Sequence, residues 1–529
     1  MSEVEQVGSP SHPGPRLLQR FATLAPAQVY ALLLGVLLLG AAALRFTGWS
    51  DNMVAFGSTR QFRCAIQARA IYYDMTRSPT DPRRIVAEKQ RANRGVLEPL
   101  VLEHIVAIGY RFAGREHLGY ARIVGAVSWV LGSFFLARFA WLLWSPLAAL
   151  AVVVYYCYLP YTIVACQSFQ PDPLMMFFAV TAWYALLRAI DRPTWWRGLA
   201  AALIAGMAIL IKPVCAFATA ALLLVLHTTG TARPWRARLR SFVLLSVGVL
   251  LPAALYYLPE IIGGGRLLGQ AEGSFQPQLW REARYWNGWR DLLVDIVGGR
   301  WVLAAAALGV LASKPGRPRA ILIGLWLSYF VYGLLFSYHI STHNYYHLPV
   351  LPIVALCLGA LIERARSLVS LLPRVPRRTV WALVPLALAF GGWKLSRAIA
   401  ADALPRTRPP ENQGENPYPL IGALVQHSSK VIFITTDSYG GPLEFDGELS
   451  GWYWDNSSDI RRTRRRGRPA FDADQEFDRL LGMNAEFFVV HPSDELPKQR
   501  RLAKRLSEYP LISNHPDFLV FDLRKKPGS

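Results

Sequence analysis

Residues 172–190 read Asp-Pro-Leu-Met-Met-Phe-Phe-Ala-Val-Thr-Ala-Trp-Tyr-Ala-Leu-Leu-Arg-Ala-Ile, an apolar run opened by an acid, with Arg188 at its far end and Arg192 and Arg197 just beyond. About 20 such residues cross a hydrocarbon core as one helix, and the lopsided charge marks the cytoplasmic end. The pattern repeats along the chain. Further apolar runs stand at 24–45, 121–143, 147–166, 198–212, 214–229, 241–259, 297–313, 320–337, 348–363 and 380–397. Together they predict a polytopic α-helical membrane protein with about eleven transmembrane helices.

The short connections assign an orientation. Arg188, Arg192 and Arg197 fall on one side, as do Arg233, Arg236, Arg238 and Arg240, then Lys314, Arg317 and Arg319, then Arg364, Arg366, Arg374, Arg377 and Arg378. Basic short loops are retained in the cytoplasm, so the N-terminal tail, 1–23, is expected there too. The opposite side receives 46–120, the turn at 167–173, the turn at Lys212-Pro213, 260–296, 338–347 and everything after 397. Reading Lys212-Pro213 as a kink in one long helix would invert every later basic loop, so it is read as a break between two helices.

The whole-chain numbers agree with this. Of 529 residues 53% are hydrophobic and 18% charged, with a net charge of +21 and a mean hydropathy of +0.23. That excludes a disordered chain and an ordinary soluble enzyme. A basic excess in a membrane protein is first an orientation signal and a source of phosphate and membrane-lipid contacts, so no nucleic-acid partner is expected. Cys64, Cys157, Cys166, Cys215 and Cys357 contain no C-x-x-C pair and form neither a disulfide framework nor a zinc site. The first apolar run exceeds a signal-peptide core in length and reads as an uncleaved anchor.

Composition changes near 400. After the transmembrane domain, 24–397, and a linker holding Pro405, Pro409 and Pro410, residues 398–529 read as a small extracytoplasmic α/β domain. Strands are predicted at Val431–Thr435, Glu486–Val490 and Phe518–Leu523, with helices near 418–427, 473–482 and 497–507. The run Arg461–Arg468 reads as a solvated or membrane-surface loop.

Acids near a bilayer are costly, which directs attention to Glu98-Pro99 and Asp172-Pro173. Proline favours the first helical position, so each carboxylate is expected at an N-cap. A plain cap is one reading; a carboxylate facing an outer cavity, as general base or metal ligand, is the other. The same side collects Arg60, Arg63 and Arg69 in the first outer loop and Lys212 at a helix tip, a set suited to a phosphate at headgroup level. It also receives Tyr338-His339-Ile340-Ser341-Thr342-His343-Asn344-Tyr345-Tyr346-His347. Such a segment can bind sugar hydroxyls, orient a phosphate, ligate a metal, or merely form an interfacial belt. The aromatic stretch 275–290 reads as a belt of that kind.

These stretches resemble membrane glycosyltransferases of the GT-C fold, in particular bacterial proteins of the dolichyl-phosphate-mannose mannosyltransferase-like group, family 39 and its lipid A aminoarabinose transferase relatives. The residues that carry the likeness are Ser58-Thr59-Arg60-Gln61-Phe62-Arg63 with Ala68-Arg69, Glu98-Pro99 with Glu103, Ser168-Phe169-Gln170-Pro171-Asp172-Pro173-Leu174-Met175, Lys212-Pro213, and Thr342 to Leu348. The likeness spans 20–400. It implies inverting transfer of a sugar from a polyprenyl-phosphate donor to the hydroxyl of a lipid, glycan or protein acceptor outside the cytoplasm, at the plasma (inner) membrane, with an acid of the first outer loop as base. Where such relatives carry an Asp-Glu pair, this chain has Arg60-Gln61. Glu98 is therefore the first candidate base and Asp51 the second. Asp172 matches the second acidic position and would orient the acceptor or share that role. Arg60, Gln61, Arg63 and Lys212 are the expected donor-phosphate contacts. Gln170, His339, His343, Asn344, Tyr345, Tyr346 and His347 are the expected substrate contacts. No metal ligand is assigned, although Mg or Mn would suit a lipid phosphate, and Asn344 stands where relatives often carry Asp. The competing class is a transporter or lipid-linked glycan flippase, which calls for ionisable groups at helix centres and an echo between chain halves; the sequence has neither. Gly451-Trp452-Tyr453-Trp454-Asp455-Asn456 resembles the Trp-Trp-Asp signature of oligosaccharyltransferases, but its place in the small domain reads as aromatic patterning.

Overall fold

The computed structural model describes residues 26–46, 56–96, 98–229, 233–263, 273–369, 389–394, 416–465 and 471–525. Helices stand at ten of the eleven expected apolar runs. They are α1 (Pro26–Phe46), α5 (Gly119–Leu143), α6 (Pro146–Tyr158) with α7 (Pro160–Gln167), α8 (Asp172–Asp191), α9 (Trp195–Ile211), α10 (Cys215–Thr228), α11 (Trp235–Ile262), α13 (Arg300–Ala312), α14 (Arg317–Leu335) and α15 (Val350–Val369). The eleventh run, 380–397, lies outside the described residues except for helical 389–394. Five helices are each long and apolar enough to cross a membrane, and seven spans result if each of two bent pairs counts as one. In the first pair Pro160 follows Leu159 and removes a helical donor, and the chain bends by 60°. In the second, α12 (Ala283–Ile296) meets α13 at 87°, through Gly298 and Gly299 at φ 91° and 113°. Only glycine takes such angles without strain.

The break at Lys212 separates two helices, as expected: its backbone is extended, with φ −152° and ψ 116°. Small residues let the helices close up. A Cβ on Gly309 would lie 2.0 Å from the carbonyl oxygen of Cys357, the close backbone approach that holds apolar helices together in lipid.

The segment 46–120 is richer than the long loop expected from its composition. It holds α2 (Ser58–Thr76), α3 (Pro82–Arg94) and α4 (Val101–Ala113). Asp81 caps α3 by accepting from Arg83 N, with Pro82 at the first helical position. The stretch 275–290 likewise builds most of an amphipathic helix, α12, with Tyr285 and Trp289 buried.

At the C-terminus, β1 (Val431–Thr435), β2 (Gly451–Tyr453), β3 (Phe487–His491), β4 (Leu511–Asn514) and β5 (Leu519–Asp522) form one sheet in the order β2-β1-β3-β5-β4. β1 pairs parallel with β2 and β3; β5 runs antiparallel to β3 and β4. Val431 and Phe433 enter one core and Ile432 and Ile434 another. A strand covered on both faces reads as a continuous apolar run, which is why β1 was legible. Helices α16 (Tyr418–Leu424), α17 (Gly441–Asp446), α18 (Ser457–Arg465), α19 (Ala473–Gly482) and α20 (Arg500–Leu506) complete the domain. The expected loop at Arg461–Arg468 is thus helical through Arg465, because Asn456 Oδ1 accepts from the amides of Ser458 and Asp459 and starts the helix. Trp454 is core, packed on Phe477 and Phe488.

Helix α3 docks on this domain through polar side chains. Gln90 Nε2 donates to the carbonyls of Glu444 at 2.6 Å and Leu449 at 2.7 Å. Asn93 Nδ2 donates to Gly451 O at 2.8 Å, and Arg94 Nε to Glu444 Oε2 at 2.6 Å.

Candidate active site

Two buried turns and a helix tip converge. Asp172 opens α8 and Lys212 follows α9; Lys212 Nζ donates to Asp172 Oδ1 at 2.7 Å, with the side chains 7% and 1% exposed. Asp172 Oδ2 is buried with no hydrogen-bond partner. Lys212 Nζ also lies 5.1 Å from the ring centre of Tyr345 and 5.3 Å from that of Tyr346, where aromatic faces stabilise a cation. Arg60, in the first turn of α2, forms an ion pair with Glu98, and its charge acts on Asp172, Tyr345 and Glu103.

Neither acid is the helix cap predicted from its proline. Helix α4 begins only at Val101, whose amide bonds Pro99 O, so Glu98 lies outside it and turns to Arg60. Asp172 sits inside the first turn of α8, with Pro171 as the cap residue and no side-chain cap bond. In both cases a nearby cation outcompetes the backbone donors, since a charge-assisted bond is roughly twice as strong as a neutral one.

Two glutamines set the spacing. Gln61 Nε2 donates to Phe56 O at 2.6 Å, and its Oε1 accepts from Phe169 N at 3.1 Å. Gln170 Nε2 donates to Phe56 O at 3.0 Å and to Gly57 O at 3.3 Å. The Gln61 amide and the Gln170 amide nitrogen thus lash the 56–61 turn to the 168–172 turn, which holds Arg60 beside Asp172, while Gln170 Oε1 is buried without a partner among the described residues. A phosphate contact from Gln61 and a substrate contact from the Gln170 amide nitrogen do not fit this geometry. Gly57 lies between them at φ 59°, and a Cβ there would meet Gln170 Nε2 at 2.6 Å.

Arg63 is directed to the carbonyls of Arg94 and Gly95, the latter at 3.1 Å, and secures the loop after α3 instead of facing Lys212. His347 is buried with Nδ1 2.7 Å from Tyr329 OH and Nε2 2.8 Å from Ile340 O; both ring nitrogens are committed inside the protein, against its expected substrate role. Burial pushes its pKa down to about 4. His339 stacks on Tyr346 at 4.5 Å and places Nε2 3.0 Å from Ser274 Oγ. Burial, with His343 and Lys212 nearby, likewise holds it near 4 and so neutral. His343 Nδ1 lies 2.7 Å from Thr342 Oγ1, and burial plus the Lys212 charge lowers its pKa. Asn344 opens the short 3-10 turn that presents Tyr345 and Tyr346. Asp51 lies outside the described residues.

One acid was not singled out as catalytic from the sequence. Glu103 of α4 is 5% exposed and adjoins Cys64 and Arg60; burial raises its pKa. The signal available was its place one helical turn beyond Glu98-Pro99. Among the described residues no group of three or more His, Cys, Asp or Glu is placed to hold a metal ion. Asp172 and Glu98 are each already paired with a protein cation, so this donor set does not fit Mg or Mn.

The dolichyl-phosphate-mannose-protein mannosyltransferase family model matches residues 97–257, which hold Glu98, Asp172 and Lys212. ArnT from Cupriavidus metallidurans bound to undecaprenyl phosphate is similar in structure, with a TM-score of 0.56 and 15% identity over 94% of this chain and 98% of that one. The Archaeoglobus fulgidus oligosaccharyltransferase gives 0.54 at 14% identity, over 89% of this chain and 69% of that one. The arabinofuranosyltransferase AftD from Mycobacteria gives 0.53 at 14% identity, over 94% of this chain and 42% of that one. No curated protein sequence matches the chain. The chain therefore has the GT-C fold of multi-pass membrane glycosyltransferases.

Proposed function

We propose that this GT-C protein is an inverting glycosyltransferase that moves a sugar from a polyprenyl-phosphate donor to the hydroxyl of a lipid, glycan or protein acceptor, on the extracytoplasmic face of the inner membrane. The observation that carries the reading is the convergence of Arg60, Glu98, Asp172, Lys212 and Tyr345 from four separate parts of the chain. An outward-facing enzyme has no nucleotide sugar to draw on, so its activated donor must be membrane-borne. ArnT, which shares the fold, binds a lipid phosphate of that class.

The residues then divide the work. As the acceptor oxygen attacks the anomeric carbon, the bond from that carbon to the phosphate oxygen breaks and its electron pair passes to the phosphate. Arg60 and Lys212 stabilise the charge that develops there. The acceptor proton passes to a carboxylate on the opposite face of the sugar, and Glu98 is assigned that role. In the resting site Glu98 clasps Arg60; a donor phosphate that recruits Arg60 frees Glu98 as a base in the same step. Asp172 keeps Lys212 charged and in place, and its second oxygen, without a partner, is available to an acceptor hydroxyl. Asp51 is the second candidate base.

The test is purified protein in lipid with a labelled polyprenyl-phosphate sugar, comparing wild type with Glu98→Gln, Asp172→Asn and Asp51→Asn. Loss of transfer on Glu98→Gln with donor binding retained supports the assignment. Three folded, fully active variants overturn the site, and lipid movement across the bilayer without transfer overturns the class.

A further inference from the structure

A cavity of about 830 Å³ opens where the outer segment 338–342 faces the C-terminal domain, lined among others by Arg284, Tyr338, Ser341, Thr342, Arg461 and Arg462. It is large enough for a short oligosaccharide, since ligand sites commonly run from about 300 to 1,000 Å³. Its chemistry is one-sided. Among the described residues Glu282 is the one acid in the lining, and it is already paired with Arg284. Arg462 is held by Asp459, whereas Arg461, among the described residues, donates to the neutral Ser458 hydroxyl at 2.9 Å and pairs with no acid. Both arginines come from α18, whose basic run continues through Arg468 in the sequence and has no part in the site described above. The hydroxyl-bearing residues Tyr338, Ser341 and Thr342 in the lining add hydrogen-bond partners for a sugar.

The wall of this cavity is shared with the candidate active site. Tyr338 and Thr342 line it, while His343 contacts both, at a ring distance of 5.9 Å and a hydrogen-bond distance of 2.7 Å. Two residues further, Tyr345 covers Lys212. The segment that walls the cavity is therefore continuous with the one that carries Tyr345 onto Lys212.

We propose that this cavity is the acceptor site and that α18 selects an acidic glycan, with Arg461 and Arg462 gripping a carboxylate or phosphate on a sugar next to the one that reacts. The planar guanidinium suits either anion bidentately. The assignment rests on the transferase reading above.

The experiment uses the full chain in neutral phosphatidylcholine nanodiscs, with calorimetric titration of a galacturonic-acid trisaccharide, the corresponding neutral galactose trisaccharide and a soluble short-chain phosphatidylglycerol. We expect the acidic trisaccharide to bind at least tenfold more tightly than the neutral one. Arg461→Gln/Arg462→Gln should abolish that preference while the melting temperature and donor binding hold. Because the double variant breaks the Arg462–Asp459 pair, Arg461→Glu alone is the second probe and should weaken acidic binding at least tenfold. Equal binding of the two sugars, an unaffected Arg461→Glu variant, or binding of phosphatidylglycerol alone overturns the proposal. Transfer from a lipid donor without arginine-dependent binding overturns the cavity assignment only. Arginine-dependent binding without transfer from any polyprenyl-phosphate donor overturns the transferase reading and, with it, the acceptor assignment.

Discussion

Asp172 and Lys212, forty positions apart, form a buried ion pair of 2.7 Å where two helix ends meet. Removing one partner strands a charge away from water, at a cost of about 3–5 kcal/mol, whereas removing both costs far less. Asp172→Asn and Lys212→Met should therefore each lower the melting temperature of the purified protein, and the double variant should recover most of the loss. Sugar transfer should fall at least 100-fold in all three, because the cation that meets the phosphate is misplaced or gone. A double variant that recovers both stability and transfer would make the pair purely structural.

The two histidines of the outer segment should separate cleanly. His347 has both nitrogens bonded inside the protein, so His347→Ala strips the Ile340 carbonyl of this partner, leaves the Tyr329 hydroxyl with Trp289 Nε1 alone, opens a cavity, and should cost about 2–4 kcal/mol. His343 is held only at its edge by Thr342 and neighbouring rings. His343→Ala should leave the melting temperature nearly unchanged and raise the KM for substrate several-fold.

Gly57→Ala tests the glutamine lashing. The new methyl would force a φ of 59° on a residue that resists it and would press on Gln170 Nε2 at 2.6 Å. The left-handed conformation costs about 1–2 kcal/mol by itself. Transfer should drop at least tenfold, since Arg60 is one turn away, while Gly114→Ala, at φ 68° with open space around its Cβ, should leave transfer untouched. Equal transfer losses in the two variants would remove the special role of the 56–61 turn.

These outcomes also mark what the residues could and could not declare. The apolar helices were legible because an apolar run of membrane length has few other uses, and the break at Lys212 because charge alternation demanded it. The gathering of acids and cations at one end followed from the same alternation. Helices α2, α3 and α4 were not legible as helices: their apolar positions, such as Cys64, Ala68 and Val106, are interleaved with arginines and polar groups, so no run stands out. The side-chain nitrogens of Gln61 and Gln170 bond backbone carbonyls of the 56–57 turn, partners that the resemblance behind their expected roles does not reveal. Glu98 was misread as a cap because proline spacing carries no information about Arg60.

The contact between α3 and the C-terminal domain should loosen as pH rises. Burial pushes the Glu444 carboxyl up to about 7, and Arg94 beside it pulls the other way without prevailing. An acid whose pKa is higher folded than unfolded binds an extra proton in the folded state between the two values, here from 4.5 to about 7. Stability is therefore full below that window and falls across it, by about 3 kcal/mol for a shift of this size. Hydrogen exchange of α3 at pH 5 and pH 8 in the full-length protein should show greater protection at pH 5. Glu444→Gln keeps the shape without the titration and should flatten the difference. Arg94→Gln removes the opposing pull, so the loss should keep the same slope but continue above pH 7. A Glu444→Gln variant with the wild-type pH slope would place the titrating group elsewhere on this interface, with Asp446, whose pKa burial also raises, as the next residue to replace.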